Sequence, residues 1–236
     1  MKFAAALGLK DVNDNRMISL VGGGGKTSSI YTLAQELSGW GKQVLITTTT
    51  AMYKPVGIVT PNISVLGDHV TTEGKLKGIK IEQAEKLFWE NLYDYILVEA
   101  DGSRGLPIKA PDGHEPVIPE TTGILIGVIG MDAYGKNMDS DYVHRPELLS
   151  TLTGTPPGER IDAKTILNLV FQTEGLFKNC PKEAKRVLLL NKVLDDKTKE
   201  TAIRIGHQVI NDSGDIERVL IGAVQEADPI KELITR

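Results

Sequence analysis

A glycine run close to the N-terminus limits the fold of this chain more than any other feature of its sequence. The run consists of Gly22, Gly23, Gly24 and Gly25, followed by Lys26, Thr27 and Ser28. The apolar segment Ile18–Val21 precedes it, and a helical pattern over Thr27–Ser38 follows it. Glycines let backbone N–H groups turn toward an anion, and the helix adds the positive end of its dipole. Because lysine supplies a cation and threonine a hydroxyl ligand for Mg²⁺, this order predicts a phosphate-binding loop between a strand and a helix.

The spacing of this loop differs from the usual P-loop pattern, G-x-x-x-x-G-K-[ST]. Counting back from Gly25 places Leu20 at the first position of that pattern. The chain instead fits a shorter form, G-x-x-G-K-T from Gly22 to Thr27, which resembles the loop of the Mur-type peptide ligases. A glycine run alone is usually a flexible turn, but one between a strand and a Lys-Thr pair favours phosphate binding. We therefore predict that the loop, as far as Ser28, binds ATP or GTP.

The composition excludes several classes of protein. Of the 236 residues, 41% are hydrophobic and 25% are charged, which is typical of a globular protein. The net charge of −4 and the lack of a dense Lys/Arg stripe argue against a nucleic-acid partner. No apolar run reaches the roughly 18 residues of a membrane span, and the apolar start of the chain is interrupted by Lys10 and Asp11. We therefore expect a cytoplasmic protein, in which the single Cys180 cannot form an internal disulfide.

Apolar runs alternate with helical patterns along the chain. Strands are predicted at Met17–Val21, Val44–Thr47, Ile63–Leu66, Tyr95–Glu99, Ile124–Ile129, Val187–Asn191 and Val219–Ile221. Helices are predicted near the N-terminus and at Thr27–Ser38, Ile81–Leu92, Arg145–Leu152, Ala163–Phe171, Lys197–Ile210 and, as a short one, Ile230–Ile234. Continuous apolar strands suit a parallel sheet covered on both faces. The order predicts an α/β fold with a doubly wound, mostly parallel sheet of the P-loop NTPase type.

The length fits one large domain or two small ones. We predict a single domain over residues 1–236. The turn Gly154–Gly158 is the best candidate for a subdomain boundary because it combines two prolines with two glycines.

Two carboxylates follow the strand Tyr95–Glu99. Glu99 and Asp101 stand two residues apart, so an extended backbone would place both side chains on the same side. The carboxyl edge of such a sheet is where ligands bind. We predict that one of the two acids holds Mg²⁺, although an acid pair at a strand end can also cap a neighbouring helix.

Four threonines, Thr47–Thr50, follow another strand. Their hydroxyls could contact Mg²⁺ or a terminal phosphate, and Thr48 and Thr49 are the candidates. Threonine is also simply common in strands, so both interpretations stay open.

Cationic candidates lie further along the chain. Arg104 and Lys109 follow the acid pair, and either could offset charge on a transferred phosphate, as a cis arginine does in some NTPases. His144 and Arg145 precede a proline that suits the first turn of a helix, and His144 could act as a base or a ligand. Surface cations on loops are common, and the four histidines include no pair at metal-ligand spacing.

The segment from Asn191 to Asp195 resembles the base-recognition motif N-K-x-D of GTPases. Asn191 and Lys192 match the motif, but Leu194 stands where the motif has its aspartate, and Asp195 comes one residue late. The segment therefore predicts contacts with a nucleotide base or, as the alternative, a buried strand that leads into a capped helix.

The ordered set of motifs resembles the YqeC-type family along nearly the whole chain. The set comprises Lys26-Thr27, the threonine run, Glu99-Ala100-Asp101-Gly102, Lys109-Ala110-Pro111, Glu115-Pro116, His144-Arg145-Pro146-Glu147 and Asn191-Lys192. That family is described as accessory to selenium-dependent molybdenum hydroxylases. The acid and Asn-Lys motifs also look like those of GTPases that deliver metals or mature cobalamin enzymes.

The resemblance implies a Mg²⁺-dependent protein that hydrolyses ATP or GTP slowly while a client molybdenum hydroxylase matures. Lys26, Glu99, Asp101 and Arg104 would act in catalysis. One alternative is an ATP-dependent ligase or kinase for a small molecule, favoured by the Mur-like loop. Another is a nucleotide-sensing adaptor without useful turnover.

Overall fold

A computed structural model describes residues 1–9, 16–53 and 60–236. Within these ranges an eight-stranded sheet is flanked by helices. The strands are β1 (Met17–Gly22), β2 (Val44–Thr48), β3 (Ala51–Tyr53), β4 (Ile63–Val65), β5 (Lys75–Lys77), β6 (Tyr95–Glu99), β7 (Ile108–Lys109), β8 (Ile124–Gly130), β9 (Val143–His144), β10 (Lys185–Asn191), β11 (Ile216–Gly222) and β12 (Ile230–Thr235). The helices are α1 (Phe3–Leu7), α2 (Lys26–Gly39), α3 (Ile81–Glu90), α4 (Pro146–Thr153), α5 (Ala163–Phe171) and α6 (Asp196–Asp212). A 3₁₀ turn spans Met131–Ala133.

The large sheet has the order β12-β11-β10-β8-β1-β6-β2-β4. Its strands pair in parallel except for β12, which is antiparallel to β11. The glycine loop therefore follows a central strand, and the strand that carries Glu99 is its direct neighbour. This arrangement confirms the predicted doubly wound α/β fold of the P-loop NTPase type.

Both faces of the sheet are buried. In β1, Met17 and Val21 belong to the apolar core on one face, whereas Ile18 and Leu20 belong to the core on the other. Because the central strands β1, β6, β8 and β10 contribute apolar side chains to both cores, their sequences read as continuous apolar runs rather than alternating ones.

Each predicted strand is present, and five of the predicted internal helices form α2 to α6 with bounds shifted by a few residues. The prediction of a short helix at Ile230–Ile234 is wrong, because this segment forms most of β12 and pairs with β11. Ile230 and Ile234 are buried at a spacing of four, which suits one helical turn as well as a short strand. The segment forms a strand because its backbone pairs with the edge of β11.

Two small sheets near the carboxyl edge of the large sheet escaped the sequence analysis. β3 pairs with β5, and β7 pairs with β9 so that Lys109 stands opposite His144. Three of these four strands contain lysine or histidine, so the sequence shows no apolar run of the kind that predicts β4, and β3 has only three residues. The β7–β9 pair matters for the site because it joins the loop after β6 to the start of α4.

The turn over residues 154–158 lies between α4 and α5. Asn168 of α5 donates a hydrogen bond of 2.7 Å to the carbonyl of Thr153, and the hydroxyls of Thr155 and Thr165 are 2.7 Å apart. The two helices on either side of the turn are thus joined directly. The single-domain assignment itself stays a prediction. No helix in the described ranges is long and apolar enough to cross a bilayer.

Candidate functional site

The glycine loop is packed tightly against the neighbouring strand β8. Gly22, Gly24 and Gly25 adopt positive φ angles of 94°, 78° and 118°, which L side chains rarely adopt. A methyl group on Gly22 would overlap the carbonyl of Val128, and one on Gly24 would overlap the backbone of Gly130. The glycines are therefore needed to fit the loop into the fold, besides any approach to a ligand.

Three glycine N–H groups of the loop are used inside the protein. Gly22 N–H donates to Asp101 Oδ2 at 2.9 Å, Gly23 N–H to the carbonyl of Val128 at 2.9 Å, and Gly24 N–H to the carbonyl of Leu106 at 2.9 Å. These bonds fix the loop's shape. The N–H groups of Gly22, Gly23 and Gly24 are therefore not free to donate to a phosphate, although the sequence predicted them as phosphate ligands.

The free donors lie at the beginning of α2. The N–H groups of Gly25, Lys26, Thr27 and Ser28 have no hydrogen-bond partner among the described residues, and no side chain caps the helix. The first N–H groups of a helix stay unpaired unless a cap, water or ligand accepts from them. Together with the helix dipole, these four donors form an anion-binding end.

Lys26 is buried beside this helix end. Its Nζ donates to the carbonyl of Gly22 at 2.6 Å and to Ser103 Oγ at 3.2 Å. It also lies 3.1 Å from Asp101 Oδ1 and 3.9 Å from Glu99 Oε1. The predicted placement of both acids on one side of the backbone is confirmed, because both carboxylates reach the same ammonium group.

Glu99 and Thr27 are in direct contact. Thr27 Oγ1 donates to Glu99 Oε2 at 2.7 Å. Burial raises the pKa of Glu99 above its usual range, against the opposing effects of Lys26 and the Thr27 hydroxyl, while Asp101 raises it further. Glu99 lines an open cleft, and Asp101 is not part of that lining. Of the two acids, Glu99 is thus the one placed to meet a ligand.

Asp101 instead joins two buried lysines. Its Oδ2 lies 3.1 Å from Lys109 Nζ, and its Oδ1 accepts no hydrogen bond among the described residues although Lys26 is close. Lys109 also donates to Glu115 Oε2 at 2.7 Å, and Arg145 donates to the same oxygen at 2.6 Å. The result is a row of alternating charges that runs from Lys26 to Arg145.

These two cations determine the acidity of Glu115. Burial raises its pKa, but hydrogen bonds from Arg145 and Lys109, together with their charges, outweigh the burial and lower the pKa to about 2. Arg145 also lies 3.4 Å from Asp112 Oδ2. Glu115 and Asp112 therefore hold Arg145 at the start of α4 from two directions.

The cleft has a volume of about 930 Å³. One part of its lining is the start of α2 with Glu99. Other parts come from the loop after β6, including Arg104, and from the segment His144–Glu147 at the start of α4. A volume near 1,000 Å³ lies at the upper end of the usual range for small-molecule sites, so the cleft is large enough for the phosphates of a nucleotide and a second small ligand.

Two predicted metal ligands face elsewhere. Thr48 Oγ1 donates to the carbonyl of Glu99 at 2.8 Å, and Thr49 Oγ1 donates to the carbonyl of Val117 at 2.6 Å. Neither threonine lines the cleft, whereas Thr50 does. Thr48 and Thr49 support the backbone that carries Glu99, and the geometry does not bring them to a metal.

Asn191 supports the loop rather than opening toward a base. It is 2% exposed, its amide donates to the carbonyl of Gly24 at 2.8 Å, and its Oδ1 accepts from Val224 N–H at 3.1 Å. Lys192 lines the cleft and donates to Asp132 Oδ2 at 2.7 Å. The Asn-Lys pair is therefore divided between the loop and the cleft.

Asp195 is the N-cap of α6. Its Oδ1 accepts from Thr198 N–H and its Oδ2 from Thr198 Oγ1, both at 2.8 Å. The structure therefore has the strand that leads into a capped helix, which was the alternative to a guanine-binding acid.

Sequence reasoning missed Ser103, Asp132 and Gly130. Ser103 accepts from Lys26, Asp132 pairs with Lys192, and Gly130 allows the close approach of Gly24. Gly130 at the end of β8 was a usable signal, because a glycine at a strand end can mark a close approach of another backbone. The serine and the aspartate lie in irregular segments, where spacing predicts no contact.

Comparison with known proteins identifies relatives of this chain. A family model described as YqeC protein matches residues 18–147, which include the loop, the acid pair, Arg104 and His144. A curated relative, "Uncharacterized protein YqeC" from Escherichia coli (strain K12), is 32% identical over 227 residues, covering 89% of this chain and 88% of the relative. No solved structure gives a significant match. More than half of the chain thus fits one family model and nearly all of it aligns with a named relative: the chain belongs to the YqeC family.

Proposed function

We propose that this chain is a Mg²⁺-dependent nucleotide-binding protein that slowly hydrolyses ATP or GTP as an accessory factor in the maturation of a selenium-dependent molybdenum hydroxylase. One observation carries the nucleotide proposal. Four N–H groups at the start of α2, which have no hydrogen-bond partner among the described residues, open onto the cleft that also contains Lys26 and Glu99. Such a helix end attracts phosphate through its donors and its dipole.

Phosphate binding uses groups that are already in place. The N–H groups of Gly25, Lys26, Thr27 and Ser28 would donate to phosphate oxygens. The ammonium of Lys26, now 3.1 Å from Asp101, would exchange part of this attraction for a phosphate oxygen. Asp101 would keep Lys109 as its partner at 3.1 Å, so the buried carboxylate would not be left without a positively charged neighbour.

The residues at the helix end fit Mg²⁺. This ion prefers oxygen ligands and usually binds through one or two protein groups together with substrate phosphates. Thr27 Oγ1 and Glu99 Oε2, 2.7 Å apart, offer a hydroxyl and a carboxylate beside the phosphate-binding donors. When bound, the ion neutralises phosphate charge and orients the leaving group.

Catalysis would rest on charge compensation and positioning. Phosphoryl transfer requires little covalent chemistry from the protein. Lys26 would compensate negative charge on the terminal phosphate, and Glu99 would orient the hydroxyl of Thr27. Arg104 is the further cation that the sequence analysis assigned to this task, and it lines the same cleft.

The family resemblance also motivates the accessory role, in which the partner is a molybdenum hydroxylase. Slow hydrolysis suits a protein whose nucleotide state gates the delivery of a cofactor to a client. In cells that produce the molybdenum hydroxylase, deletion of the gene for this chain should lower the activity of that hydroxylase. Complementation by the unchanged chain but not by Lys26→Ala, at equal protein levels, would link nucleotide binding to that role.

The direct test is calorimetric titration with ATP and GTP, each with and without Mg²⁺. Lys26→Ala should lower the affinity at least tenfold, while Lys164→Ala, an exposed lysine on α5, serves as the control. Binding of neither nucleotide to the unchanged protein, or equal affinity in a folded Lys26→Ala variant, would contradict the proposal.

A further inference from the structure

One arginine in the cleft has an unbalanced charge. The cleft lining contains five lysines and arginines, four of which lie within 4 Å of a carboxylate: Lys26 with Asp101, Lys75 with Glu73, Arg145 with Glu115, and Lys192 with Asp132. Arg104 has no ion-pair or hydrogen-bond partner among the described residues, and it is exposed. Its backbone adopts a φ angle of 52°, followed by 78° at Gly105. The loop thus presents a cation that no residue in the described part of the chain neutralises.

His144 lines the same cleft and also has no side-chain partner among the described residues. Its position is fixed because β9 pairs with β7, with His144 opposite Lys109. Burial lowers the pKa of His144, and the charges of Arg145, Lys109 and Arg104 lower it further. Glu115 opposes this effect, and Lys109 and Arg145 are already paired with carboxylates. Arg104 is therefore the cation that leaves positive charge beside the imidazole for a negative ligand.

A second groove next to the proposed phosphate site could hold the nucleoside part of the nucleotide. This groove, of about 710 Å³, runs along α2 and is lined by Tyr31, Thr32 and Gln225. Ser28 lines both this groove and the cleft. A nucleotide whose phosphates bind at the start of α2 can therefore extend past Ser28 along the helix. The region around Arg104 and His144 is then left for another molecule.

We propose that Arg104 and His144 form a subsite for a second, small anionic ligand bearing a carboxylate or phosphate group, bound in the same cleft as the nucleotide's terminal phosphate. This inference rests on the proposed nucleotide function and names the substrate class of that site. It also gives a physical basis for the small-molecule ligase or kinase alternative.

The position of Arg104 would bring that ligand close to the reacting phosphate. Ser103, the preceding residue, accepts a hydrogen bond of 3.2 Å from Lys26 Nζ. A guanidinium group binds carboxylate and phosphate in a bidentate manner. Arg145 is less available, because Glu115 and Asp112 already bind its guanidinium group. Arg104 is thus the main anion ligand, and His144 provides a donor nitrogen in the same positive field.

The test uses the full-length protein saturated with Mg²⁺ and a non-hydrolysable ATP or GTP analogue, whichever binds. Inorganic phosphate and succinate are titrated separately by calorimetry, so that the two kinds of anion are distinguished. Arg104→Gln and His144→Gln should each lower the affinity for the tighter-binding probe at least fivefold. Arg104→Lys should keep part of that affinity. Matched controls are Arg204→Gln and His207→Gln, two exposed residues on α6 that should leave the affinity unchanged.

Several outcomes would overturn the subsite. One is that neither probe binds to the analogue-loaded protein. Another is that both Arg104→Gln and His144→Gln bind the probes with unchanged affinity. A third contrary outcome is that Arg104→Gln lowers the affinity for the analogue but not for the probes, because Arg104 would then serve only the terminal phosphate of the nucleotide.

Failure of the proposed function is distinguishable from failure of the subsite. If no analogue binds to the unchanged protein, the probes are titrated into Lys26→Ala, which lacks the ammonium of the phosphate site. Binding that still depends on Arg104 would then support an anion subsite without a nucleotide, and binding independent of Arg104 would overturn it.

Discussion

The carboxylate of Asp101 lies 3.1 Å from the ammonium group of Lys26, and both side chains are only 2% exposed. Lys109, which is 1% exposed, lies 3.1 Å from the other oxygen of Asp101. One acid therefore compensates two buried lysines and also accepts the N–H of Gly22. This arrangement makes the loop's shape and the position of its lysine depend on the same side chain.

We expect Asp101→Asn to lower the free energy of unfolding by about 3–5 kcal/mol, because the buried ammonium of Lys26 then keeps only one carboxylate among the described residues, that of Glu99 at 3.9 Å, and a buried charge that loses its close partner is costly. Urea denaturation monitored by circular dichroism measures the effect. Asp141→Asn, at an exposed position, is the control. A loss below about 1 kcal/mol, the size expected of a surface ion pair, would show that Lys26 and Lys109 do not depend on Asp101.

Glu99 should make the metal dependence of nucleotide binding sensitive to pH. Its raised pKa means that the carboxyl group takes up a proton at a higher pH than an ordinary glutamate, and a protonated carboxyl is a poor Mg²⁺ ligand. The benefit of Mg²⁺ should therefore decrease as the pH falls through this raised pKa. In Glu99→Gln the benefit should be small at all pH values. Titrations from pH 5 to 8 test this, and an equal pH response of the two proteins would contradict it.

The same raised pKa has a consequence for stability. A folded-state pKa above the unfolded value favours folding at low pH, and this contribution is lost as the pH rises through the folded value. Ionised Glu99 is thus costly to bury. At neutral pH the free energy of unfolding of Glu99→Gln should equal or exceed that of the unchanged protein.

The ionised carboxylate of Glu115 should stabilise the folded protein, in contrast to that of Glu99. Its pKa is about 2 in the folded protein, below the ordinary 4.5, so its contribution to stability is present above pH 4.5 and is lost as the pH falls toward 2. Glu115→Gln should remove this contribution, and the difference in unfolding free energy between the two proteins should narrow across that window. Denaturation at several pH values measures it. Asp228→Asn, at an exposed position, is the control, and a difference that is constant with pH would exclude the depressed pKa.

The glycine loop allows a sharp comparison of packing. Gly24→Ala introduces a methyl group that overlaps the backbone of Gly130, at a φ angle of 78°. Gly102→Ala, in the same region, meets nothing within 4 Å and has no positive φ angle. We expect Gly24→Ala to reduce nucleotide affinity at least tenfold and to lower Tm, whereas Gly102→Ala keeps both near their original values. Equal behaviour of the two variants would mean that the loop tolerates a side chain.

Much of the site follows from local sequence. The order of strand, glycines, Lys26 and helix predicts the anion-binding end, and the period of a strand places Glu99 and Asp101 on the same side. Both predictions depend on neighbours in the chain. The sheet likewise follows from its apolar runs, since burial of both faces leaves a distinct pattern.

What escaped prediction depends on contacts between distant segments. Lys109 was expected as a possible phosphate ligand, but it is buried under Asp101 and Glu115. Asn191 was expected at a base, but its amide bridges Gly24 and Val224, 167 and 33 residues away. Such roles depend on which strands are neighbours. Spacing along one segment carries no information about them.

The role of Asp195 gives a final prediction about base selection. Because both of its oxygens accept from Thr198 at the start of α6, Asp195→Ala should remove a helix cap and cause a measurable fall in Tm. It should leave the ratio of ATP to GTP affinity unchanged, since a capping carboxylate is not free to accept hydrogen bonds from guanine. Asp196→Ala, the next residue, is the matched control for loss of charge. A selective loss of GTP affinity in Asp195→Ala would return the segment to base recognition and would require this carboxylate to leave its helix cap when the nucleotide binds.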